Sequence, residues 1–401
     1  MMYYMLEDRV FMVKGIHYAC IYNLNDCRLY RIDKISYEWL AKMFEEKQHK
    51  NFSNEEKQYL DKLERLHLIK KGKQGKGNVV FNTNHHISFA WIEVTTRCNL
   101  KCKHCYEEAS CSHYVEMKIE NFSQIINQLR DIGVKKIQLI GGEPLIIGDK
   151  LKTMIEMAHN KFEQIEVFTN GTMINQHWIE VFREYNIKIA LSVYSYDKNE
   201  HDKVTGHLGS YEKTNNAIMM LKNAGISYRV CNVLMKDVGL GNQNTDLYTL
   251  SPDHDVVRLT GRADLRLLDK QLIRKKLIVE STFSKPISKN LFYRAIGGHN
   301  CFATKIYVGA DLTVYPCVME RRFSHGSLKD NDLKNILKKD ILGLSKDKIK
   351  VCQKCEYRYA CFDCRPNSLG NDIYDKPWYC TYDPETGAWA DPEQFIDTIL
   401  Q

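Results

Sequence analysis

The chain has 401 residues, of which 27% are charged and 44% hydrophobic. This length allows two or three hydrophobic cores at roughly 100 to 200 residues per domain. The hydrophobic fraction of the composition excludes a disordered or collagen-like chain. The sequence has no run of about 18 uncharged apolar residues and no secretory signal. The formal net charge is only +7. We therefore expect a soluble cytoplasmic protein that binds neither a membrane nor nucleic acid.

Cysteine is unusually frequent, with 14 residues. Cytosolic thiols are kept reduced, so metal binding or catalysis explains these cysteines better than disulfides do. Three of them fall between Cys98 and Cys105, and seven between Cys301 and Cys380. The isolated cysteines are interpreted as small buried hydrophobic residues; they are Cys20, Cys27, Cys111 and Cys231.

Residues 1–83 are predicted to form a winged-helix-like module. Apolar alternation predicts a hairpin over residues 19–25 and 28–33, and helical spacing follows over residues 37–44. A second helix is expected to begin at Ser53, with Glu56 at the capping-box position. The lysine- and glycine-rich residues 70–77 are predicted to be a wing tip or a linker.

Residues 84–291 alternate between predicted strands and helices. The strands are expected over residues 87–94, 136–140, 165–169, 187–193, 227–234 and 256–259, and the helices over residues 122–132, 151–158, 175–184 and 211–224. This alternation predicts an α/β fold, a partial (β/α)6 TIM-like barrel with its chemistry at the carboxyl ends of the strands. Residues 292–401 have short strands, turns and few aliphatic side chains, so bound metal is expected to stabilise this cysteine-rich domain.

Three cysteines, Cys98, Cys102 and Cys105, directly follow the first predicted barrel strand. Three thiolates can ligate three irons of a cubane and leave the fourth iron without a protein ligand. A zinc knuckle is the alternative, although structural zinc prefers four ligands in paired spacings. His104 can in principle complete a zinc site, but the adjacent Cys105 would crowd it.

The Cys-x3-Cys-x2-Cys spacing after the first strand of a barrel resembles the radical S-adenosylmethionine (SAM) enzymes. The resemblance implies a [4Fe-4S] cluster whose open iron binds the amino and carboxylate groups of SAM. It also implies that the reduced cluster cleaves SAM to a 5′-deoxyadenosyl radical.

A glycine-rich loop, Gly141-Gly142-Glu143-Pro144, follows the second predicted strand. It is similar to the family loop that holds the SAM amino group. Glycines permit close backbone approach, and Glu143 can accept a hydrogen bond from an ammonium. An ordinary tight turn is the alternative.

Later strand ends also resemble SAM-binding positions of the family. Thr169, Asn170 and Ser192 correspond to positions that face the nucleoside, and Tyr106 corresponds to the aromatic residue beside the third cysteine, where the backbone approaches adenine. Arg258 suits the SAM carboxylate, and Arg262 does so less directly. Turn chemistry, surface salt bridges and simple packing are the alternatives at these positions.

The seven C-terminal cysteines resemble the SPASM extension, which carries auxiliary [4Fe-4S] clusters in peptide-modifying radical SAM enzymes. Two departures stand out, since Cys361 and Cys364 are separated by two residues instead of three and one early cysteine of the family is absent. The family order implies two ligand sets: Cys352, Cys355, Cys361 and Cys380 for one cluster, and Cys301, Cys317 and Cys364 for the other.

The second ligand set supplies only three thiolates, so its fourth iron is predicted to take an exchangeable ligand such as a substrate thiolate. Hydroxide, His299 or His325 is the alternative ligand. Two structural zinc ions are the alternative for the whole array.

The chain is therefore interpreted as a radical SAM/SPASM peptide maturase with three [4Fe-4S] clusters. Its N-terminal module resembles the elements that bind a precursor peptide as an added edge strand, although a structural or DNA-binding role is also open. The expected partners are a precursor peptide and an electron donor such as flavodoxin or ferredoxin.

The expected reaction is hydrogen abstraction from the peptide, and thioether cross-linking is the specific hypothesis. The alternatives are a formylglycine-generating sulfatase-maturing enzyme and, from a different class, a zinc-dependent nucleic-acid-binding protein. No catalytic acid or base can be assigned from the sequence, since Asp311, Tyr194 and His201 also suit surface or capping roles.

Overall fold

The computed structural model describes residues 3–45, 52–72, 86–242, 253–362, 364–368 and 372–401. The chain divides into two units. The first unit combines Met1–Asn84, Leu277–Asn300 and Gly343–Ile399, and the second combines His85–Lys276, Cys301–Leu342 and Leu400–Gln401. The first unit thus contains segments of both the predicted first and third domains, and the three-domain division stays a prediction.

The strands, in chain order, are β1 (Tyr3–Leu6), β2 (Val10–Lys14), β3 (Tyr18–Asn23), β4 (Arg28–Asp33), β5 (Ile69–Gly72), β6 (Phe89–Thr95), β7 (Lys136–Gly141), β8 (Gln164–Thr169), β9 (Lys188–Ser192), β10 (Tyr228–Leu234), β11 (Asp253–Val256), β12 (Lys305–Val308), β13 (Thr313–Tyr315), β14 (Gly326–Ser327), β15 (Tyr382–Asp383) and β16 (Ala388–Trp389).

The α-helices are α1 (Lys34–Glu45), α2 (Asn54–Arg65), α3 (Ile119–Asp131), α4 (Asp149–Ala158), α5 (Gln176–Glu184), α6 (Lys198–Thr205), α7 (Ser210–Asn223), α8 (Lys270–Lys276), α9 (Lys289–Gly297), α10 (Leu333–Ile336), α11 (Lys339–Leu342) and α12 (Pro392–Leu400). In the part of the chain that the structure describes, none of the helices is long and apolar enough to cross a membrane.

The second unit is built on one mixed sheet in the order β11-β10-β9-β8-β7-β6-β12-β13-β14. The strands from β11 to β12 are parallel, and β13 and β14 extend the sheet antiparallel. Helices such as α3 bury apolar side chains, including Phe122 and Ile126, in the same core as Ile137 and Leu139 of β7. The predicted mixed α/β fold with a parallel-sheet core is confirmed.

The sheet register brings the carboxyl ends of neighbouring strands together. Thr95 at the end of β6 pairs with Gly141 of β7 after a bulge, and Ser192 of β9 pairs with Cys231 of β10. The loops that follow these strands therefore meet at one edge of the sheet.

The sixth predicted strand of the second unit begins earlier than the sequence pattern predicts. Residues 253–256 form β11 beside β10 instead of residues 256–259. The segment around Asp253 and Asp255 is polar, so it has no apolar alternation from which a strand could be predicted. Its position is set by backbone pairing to β10. The parallel addition of β12 to β6 was not predicted either.

The N-terminal part of the first unit contains a three-stranded antiparallel sheet in the order β2-β3-β4 and a separate β1-β5 pair. The predicted hairpin is confirmed by the pairing of Asn23 with Arg28. The capping box of Ser53 and Glu56 is also confirmed at the start of α2. Of the residues predicted to form a wing tip or a linker, 70–72 belong to β5, which pairs antiparallel with β1, so they are not a linker. Residues 73–77 lie outside the described residues.

The cysteine-rich segment of the first unit shares a hydrophobic core with the N-terminal sheet. Val13 and Tyr22 from that sheet pack with Phe292, Tyr357 and Tyr382. Aromatic rings thus supply much of the apolar surface that the few aliphatic side chains of this segment do not provide.

Candidate functional site

The three cysteines that follow β6 converge on one cavity in the second unit. Cys98, Cys102 and Cys105 pack together with Leu100 and Ala109. All three line a cavity of about 180 Å³. Residues at or just after the carboxyl ends of the parallel strands β7 to β11 also line this cavity.

Two glycines allow the loop after β7 to approach the cysteine loop. The Gly142 amide donates to the Thr95 carbonyl at 2.8 Å, and the Glu143 amide donates to the Arg97 carbonyl at 2.8 Å. A Cβ atom on Gly142 would lie 2.4 Å from the Arg97 oxygen. The close approach expected of this motif is therefore made to the cysteine loop itself.

The loop after β11 holds the other end of the cysteine segment. Gly261 has a φ of +58°, and a Cβ atom there would lie 2.5 Å from the Cys105 oxygen. The Arg262 amide donates to that oxygen at 3.0 Å, and its Nε donates to the Cys102 carbonyl at 3.0 Å. Its Nη1 donates to the Ala109 carbonyl at 3.2 Å. Arg262 thus positions the cysteine loop, while its buried Nη2 has no hydrogen-bond partner in the part of the chain that the structure describes.

The environment of the three thiols favours a positively charged group between them. Burial raises the pKa of Cys98 to about 12, and the Glu143 carboxylate adds to the increase. Burial and the neighbouring Cys105 raise the pKa of Cys102 to about 12 as well. Thiolates in this position require a compensating cation, so the donor set and its burial fit an iron–sulfur core.

Among the described residues, no three His, Cys, Asp or Glu side chains are arranged to ligate a single metal ion. In a cubane each thiolate binds a different iron, so the spacing of the three cysteines is compatible with that group.

Glu143 links two loops of the site. Its buried carboxylate accepts hydrogen bonds from the Thr169 hydroxyl at 2.7 Å, the Asn170 amide at 2.8 Å and the Leu145 amide at 3.0 Å. Burial raises the pKa of this carboxyl, and the three hydrogen bonds oppose the increase. The neighbouring Gly141 and Gly142 line the cavity, whereas Glu143 is not among its lining residues. The sequence-based expectation of a direct contact between Glu143 and SAM stays a prediction.

The structure brings the other predicted SAM-binding positions together. The residues that line the same cavity include Tyr106, Thr169, Asn170, Ser192, Arg258 and Arg262. The Asn170 side chain donates to Asn99 in the cysteine loop at 3.0 Å. Arg258 forms a salt bridge with Asp255 and lies 3.2 Å from the Met319 sulfur.

The sequence suggested His104 only as a possible zinc ligand and Tyr194 only as an acid–base candidate with equally suitable surface or capping roles. Both line the cavity, with ring centroids 4.5 Å apart in an edge-to-face arrangement. Burial lowers the pKa of His104 to about 4, and its buried Nδ1 has no hydrogen-bond partner among the described residues. The position of His104 between Cys102 and Cys105 is the sequence signal for its place at the cavity.

An acidic pair beside the cavity was not predicted from the sequence. Burial and the Glu93 carboxylate raise the pKa of Glu107 to about 9, and Arg321 opposes this shift. Arg321 forms salt bridges with both carboxylates and stacks over the Tyr307 ring at 4.1 Å. Glu93 is a charged residue in an otherwise apolar strand, which is the signal that could have identified this pair.

Four of the C-terminal cysteines converge on a second cavity, in the first unit. The four are Cys352, Cys355, Cys361 and Cys380. The other proposed set is divided, since Cys301 and Cys317 belong to the second unit and Cys364 to the first. Both ligand sets stay predictions, and the first is supported by a shared cavity.

The loop at Cys355 is tied to the N-terminal sheet by buried polar contacts. The Tyr22 hydroxyl donates to the Glu356 carbonyl at 2.8 Å, and the Tyr382 hydroxyl donates to the Glu356 carboxylate at 2.8 Å. Arg31 lies 3.3 Å from the same carboxylate. Burial raises the pKa of the Cys355 thiol well above its usual range.

Comparison with known proteins identifies a radical SAM domain in the second unit. Residues 92–244 match the model of the radical SAM superfamily. The antilisterial bacteriocin subtilosin biosynthesis protein AlbA of Bacillus subtilis is 34% identical over 143 residues, which are 35% of this chain and 32% of that protein. The AdoMet-dependent heme synthase of Nitratidesulfovibrio vulgaris is 30% identical over 150 residues, 37% of this chain and 40% of that protein.

The matched segments thus span less than half of either relative. Among solved structures, Streptococcus suis SuiB bound to precursor peptide SuiA aligns with a TM-score of 0.57 and 14% identity, covering 91% of this chain and 96% of that chain. At this identity the likeness concerns the fold. The cysteine loop, the strand-end cavity and the matched model agree, and we conclude that this chain carries a radical SAM domain over residues 92–244.

Proposed function

We propose that this protein is a radical SAM enzyme that modifies a ribosomally made precursor peptide. The observation that carries the proposal is the convergence of Cys98, Cys102 and Cys105 on a cavity walled by the carboxyl ends of parallel strands. When bound, the cluster and SAM supply a 5′-deoxyadenosyl radical, and the auxiliary clusters supply an acceptor for the electron left after a bond closes.

The residues of the cavity have distinct proposed roles. The three thiolates would hold the cluster, and the strand-end residues Thr169, Asn170 and Ser192 would contact the nucleoside of SAM. Arg258 would face its carboxylate. Arg262 acts through the cysteine loop, since its side chain donates to the Cys102 and Ala109 carbonyls.

A peptide substrate is supported by two comparisons. AlbA is named for the biosynthesis of a bacteriocin, and the aligned SuiB structure contains a precursor peptide. The first unit of this chain has a small antiparallel sheet whose outer strands are β2 and β4. Such a strand can pair with an extended leader peptide through backbone hydrogen bonds.

Thioether cross-linking is the reaction we propose. The peptide would lose two hydrogens, one from a carbon and one from a cysteine thiol, as a carbon–sulfur bond forms. The set Cys301, Cys317 and Cys364 offers only three thiolates, so a substrate thiolate is a suitable fourth ligand. A cytoplasmic flavodoxin or ferredoxin is the electron donor we propose.

Cleavage of SAM is tested with anaerobically reconstituted protein and a strong reductant. We expect 5′-deoxyadenosine to form with the wild-type protein and not with a variant in which Cys98, Cys102 and Cys105 are alanine. If the wild-type protein forms none, the proposed activity is wrong.

The bond type is tested by mass spectrometry of the co-expressed precursor peptide. A thioether predicts a loss of two hydrogens together with the loss of one alkylatable thiol. A peptide that loses two hydrogens but keeps every thiol alkylatable would exclude the thioether, and formylglycine in place of a cysteine or serine would support the sulfatase-maturing alternative.

A further inference from the structure

Lys346 is a buried lysine beside the cysteine cavity of the first unit. It begins a short 3-10 helix, Lys346–Lys348, and is only 4% exposed. Its Nζ lies 2.9 Å from the Cys361 sulfur. A buried ammonium is stabilised by a nearby negative charge, and a thiolate at Cys361 lies within hydrogen-bond distance of this one.

The charges around this cavity are predominantly positive. Its lining residues include four cysteines and the cations Lys346, Arg358 and Lys376, and the described lining residues include no carboxylate. An all-cysteine [4Fe-4S] cluster is an anion in both of its common redox states, so these cations match it in charge.

The three cations have different contacts. Arg358 donates through Nε to the Asp347 carboxylate at 2.7 Å. Lys376 donates to the Tyr382 carbonyl at 2.6 Å. Lys346 is the cation that directs its ammonium at a thiol sulfur.

We propose that Lys346 raises the reduction potential of the auxiliary cluster by donating a charge-assisted hydrogen bond to the Cys361 thiolate. One added electron makes the cluster more negative, so a nearby cation stabilises the reduced form more than the oxidised form. Hydrogen bonds to ligating sulfurs act in the same direction. Lys346 is thus a positioning residue that acts through Cys361, and the proposal rests on the proposed ligand set Cys352, Cys355, Cys361 and Cys380.

The test isolates this cluster in a background in which Cys98, Cys102, Cys105, Cys301 and Cys317 are alanine. Full-length protein is reconstituted anaerobically, its iron is counted, and the midpoint potential is measured by a redox titration followed by electron paramagnetic resonance. The variants are Lys346→Met, Lys346→Gln and Lys346→Arg. Lys350→Met is the matched control, because the Lys350 side chain is 61% exposed and pairs with Asp372 at 2.5 Å.

We expect about four irons per chain in the background protein, as one cubane requires. We expect Lys346→Met to move the midpoint to a more negative potential by at least a tenfold change in the reduction equilibrium, which is about 59 mV for one electron. Lys346→Gln should give a smaller shift, and Lys346→Arg and Lys350→Met should keep the original potential.

The outcomes separate the proposed ligand set of the auxiliary cluster from the proposed role of Lys346 in tuning its potential. A background protein without iron would refute the ligand set. Bound iron with an unchanged midpoint in both Lys346→Met and Lys346→Gln would refute the tuning role. If all three Lys346 variants lost the iron, Lys346 would be a structural requirement of the site and the tuning proposal would also be wrong.

Discussion

Gly142 and Glu143 hold the cysteine loop and the loop after β8 in one arrangement. The Gly142 and Glu143 amides bind the Thr95 and Arg97 carbonyls, and the Glu143 carboxylate binds Thr169. The family loop is commonly considered for its ligand contacts. In this chain its described contacts are internal, so its first contribution is to fix the position of three thiols.

Gly142→Ala should therefore disrupt the site although it adds only a methyl group. The new Cβ would lie 2.4 Å from the Arg97 oxygen, which belongs to the backbone and cannot rotate away. Overpacking of this kind costs about 1 to 3 kcal/mol and displaces the loop. We expect formation of 5′-deoxyadenosine to fall about a hundredfold, as an atomic misplacement of about 1 Å commonly produces.

The matched control is Gly239→Ala, where a Cβ atom would meet no atom within 4 Å. This variant should retain its iron and its rate of SAM cleavage. Wild-type rates in both variants would show that the loop contact has no role in positioning the cluster.

At the scale of elements, the sequence predicts the parts of the sheet that have a clear apolar period. Strands β7 to β10 and helix α2 with its capping box agree with the pattern, because their buried faces repeat at the expected spacing. Strand β11 is polar, and β12 comes from a distant part of the chain. Backbone pairing positions both strands, and the local sequence does not predict this pairing.

In the candidate site, too, the sequence predicts the features that depend on local spacing and misses those that depend on contacts between distant segments. The spacing of Cys98, Cys102 and Cys105 identifies the cysteine loop. Ser192 and Asn170 were predicted at the site because they lie at the carboxyl ends of parallel strands, and both line the cavity. The clamp of Arg262 on the cysteine loop and the contact of Lys346 with Cys361 connect residues from different segments. A single sequence cannot show such contacts, because they arise only after folding.

The hydrogen bond between Tyr22 of β3 and Glu356 joins the N-terminal sheet to the Cys355 loop. Tyr22 is fully buried, so Tyr22→Phe leaves the Glu356 carbonyl without its donor. We expect a loss of about 1 to 3 kcal/mol in the stability of the first unit. Urea unfolding followed by loss of the absorbance of the proposed auxiliary cluster measures this change.

Tyr30→Phe is the control, because the Tyr30 hydroxyl bonds an exposed Asp26 carboxylate at 3.2 Å. This variant should unfold at nearly the wild-type urea concentration. An equal loss of stability in both variants would mean that the buried contact with Glu356 does not couple the N-terminal sheet to the Cys355 loop.

At the scale of the whole molecule, buried neutral histidines link stability to pH. Burial lowers the pKa of His104, His201 and His325 to about 4 from an ordinary value near 6.5. Between these values the unfolded chain binds protons that the folded chain does not. Stability is therefore fully present above about pH 6.5 and falls as the pH is lowered, by at most about 1.4 kcal/mol per pH unit for each histidine.

His201→Gln should weaken this dependence. His201 is 1% exposed, and its Nδ1 accepts from the Tyr194 amide at 3.3 Å. Urea unfolding at pH 7.5 and pH 5.5 should show a smaller drop for the variant than for the wild-type protein. Identical drops would show that His201 is not protonated on unfolding in this range.

The pairing of β12 with β6 affects how the second unit folds during translation. Strand β6 ends at Thr95 and its partner β12 ends only at Val308, so more than half of the chain must emerge from the ribosome before this edge is covered. Until then β6 presents unpaired backbone groups that can template aggregation. Production of this protein should therefore benefit from slow translation or chaperones that shield a nascent sheet edge.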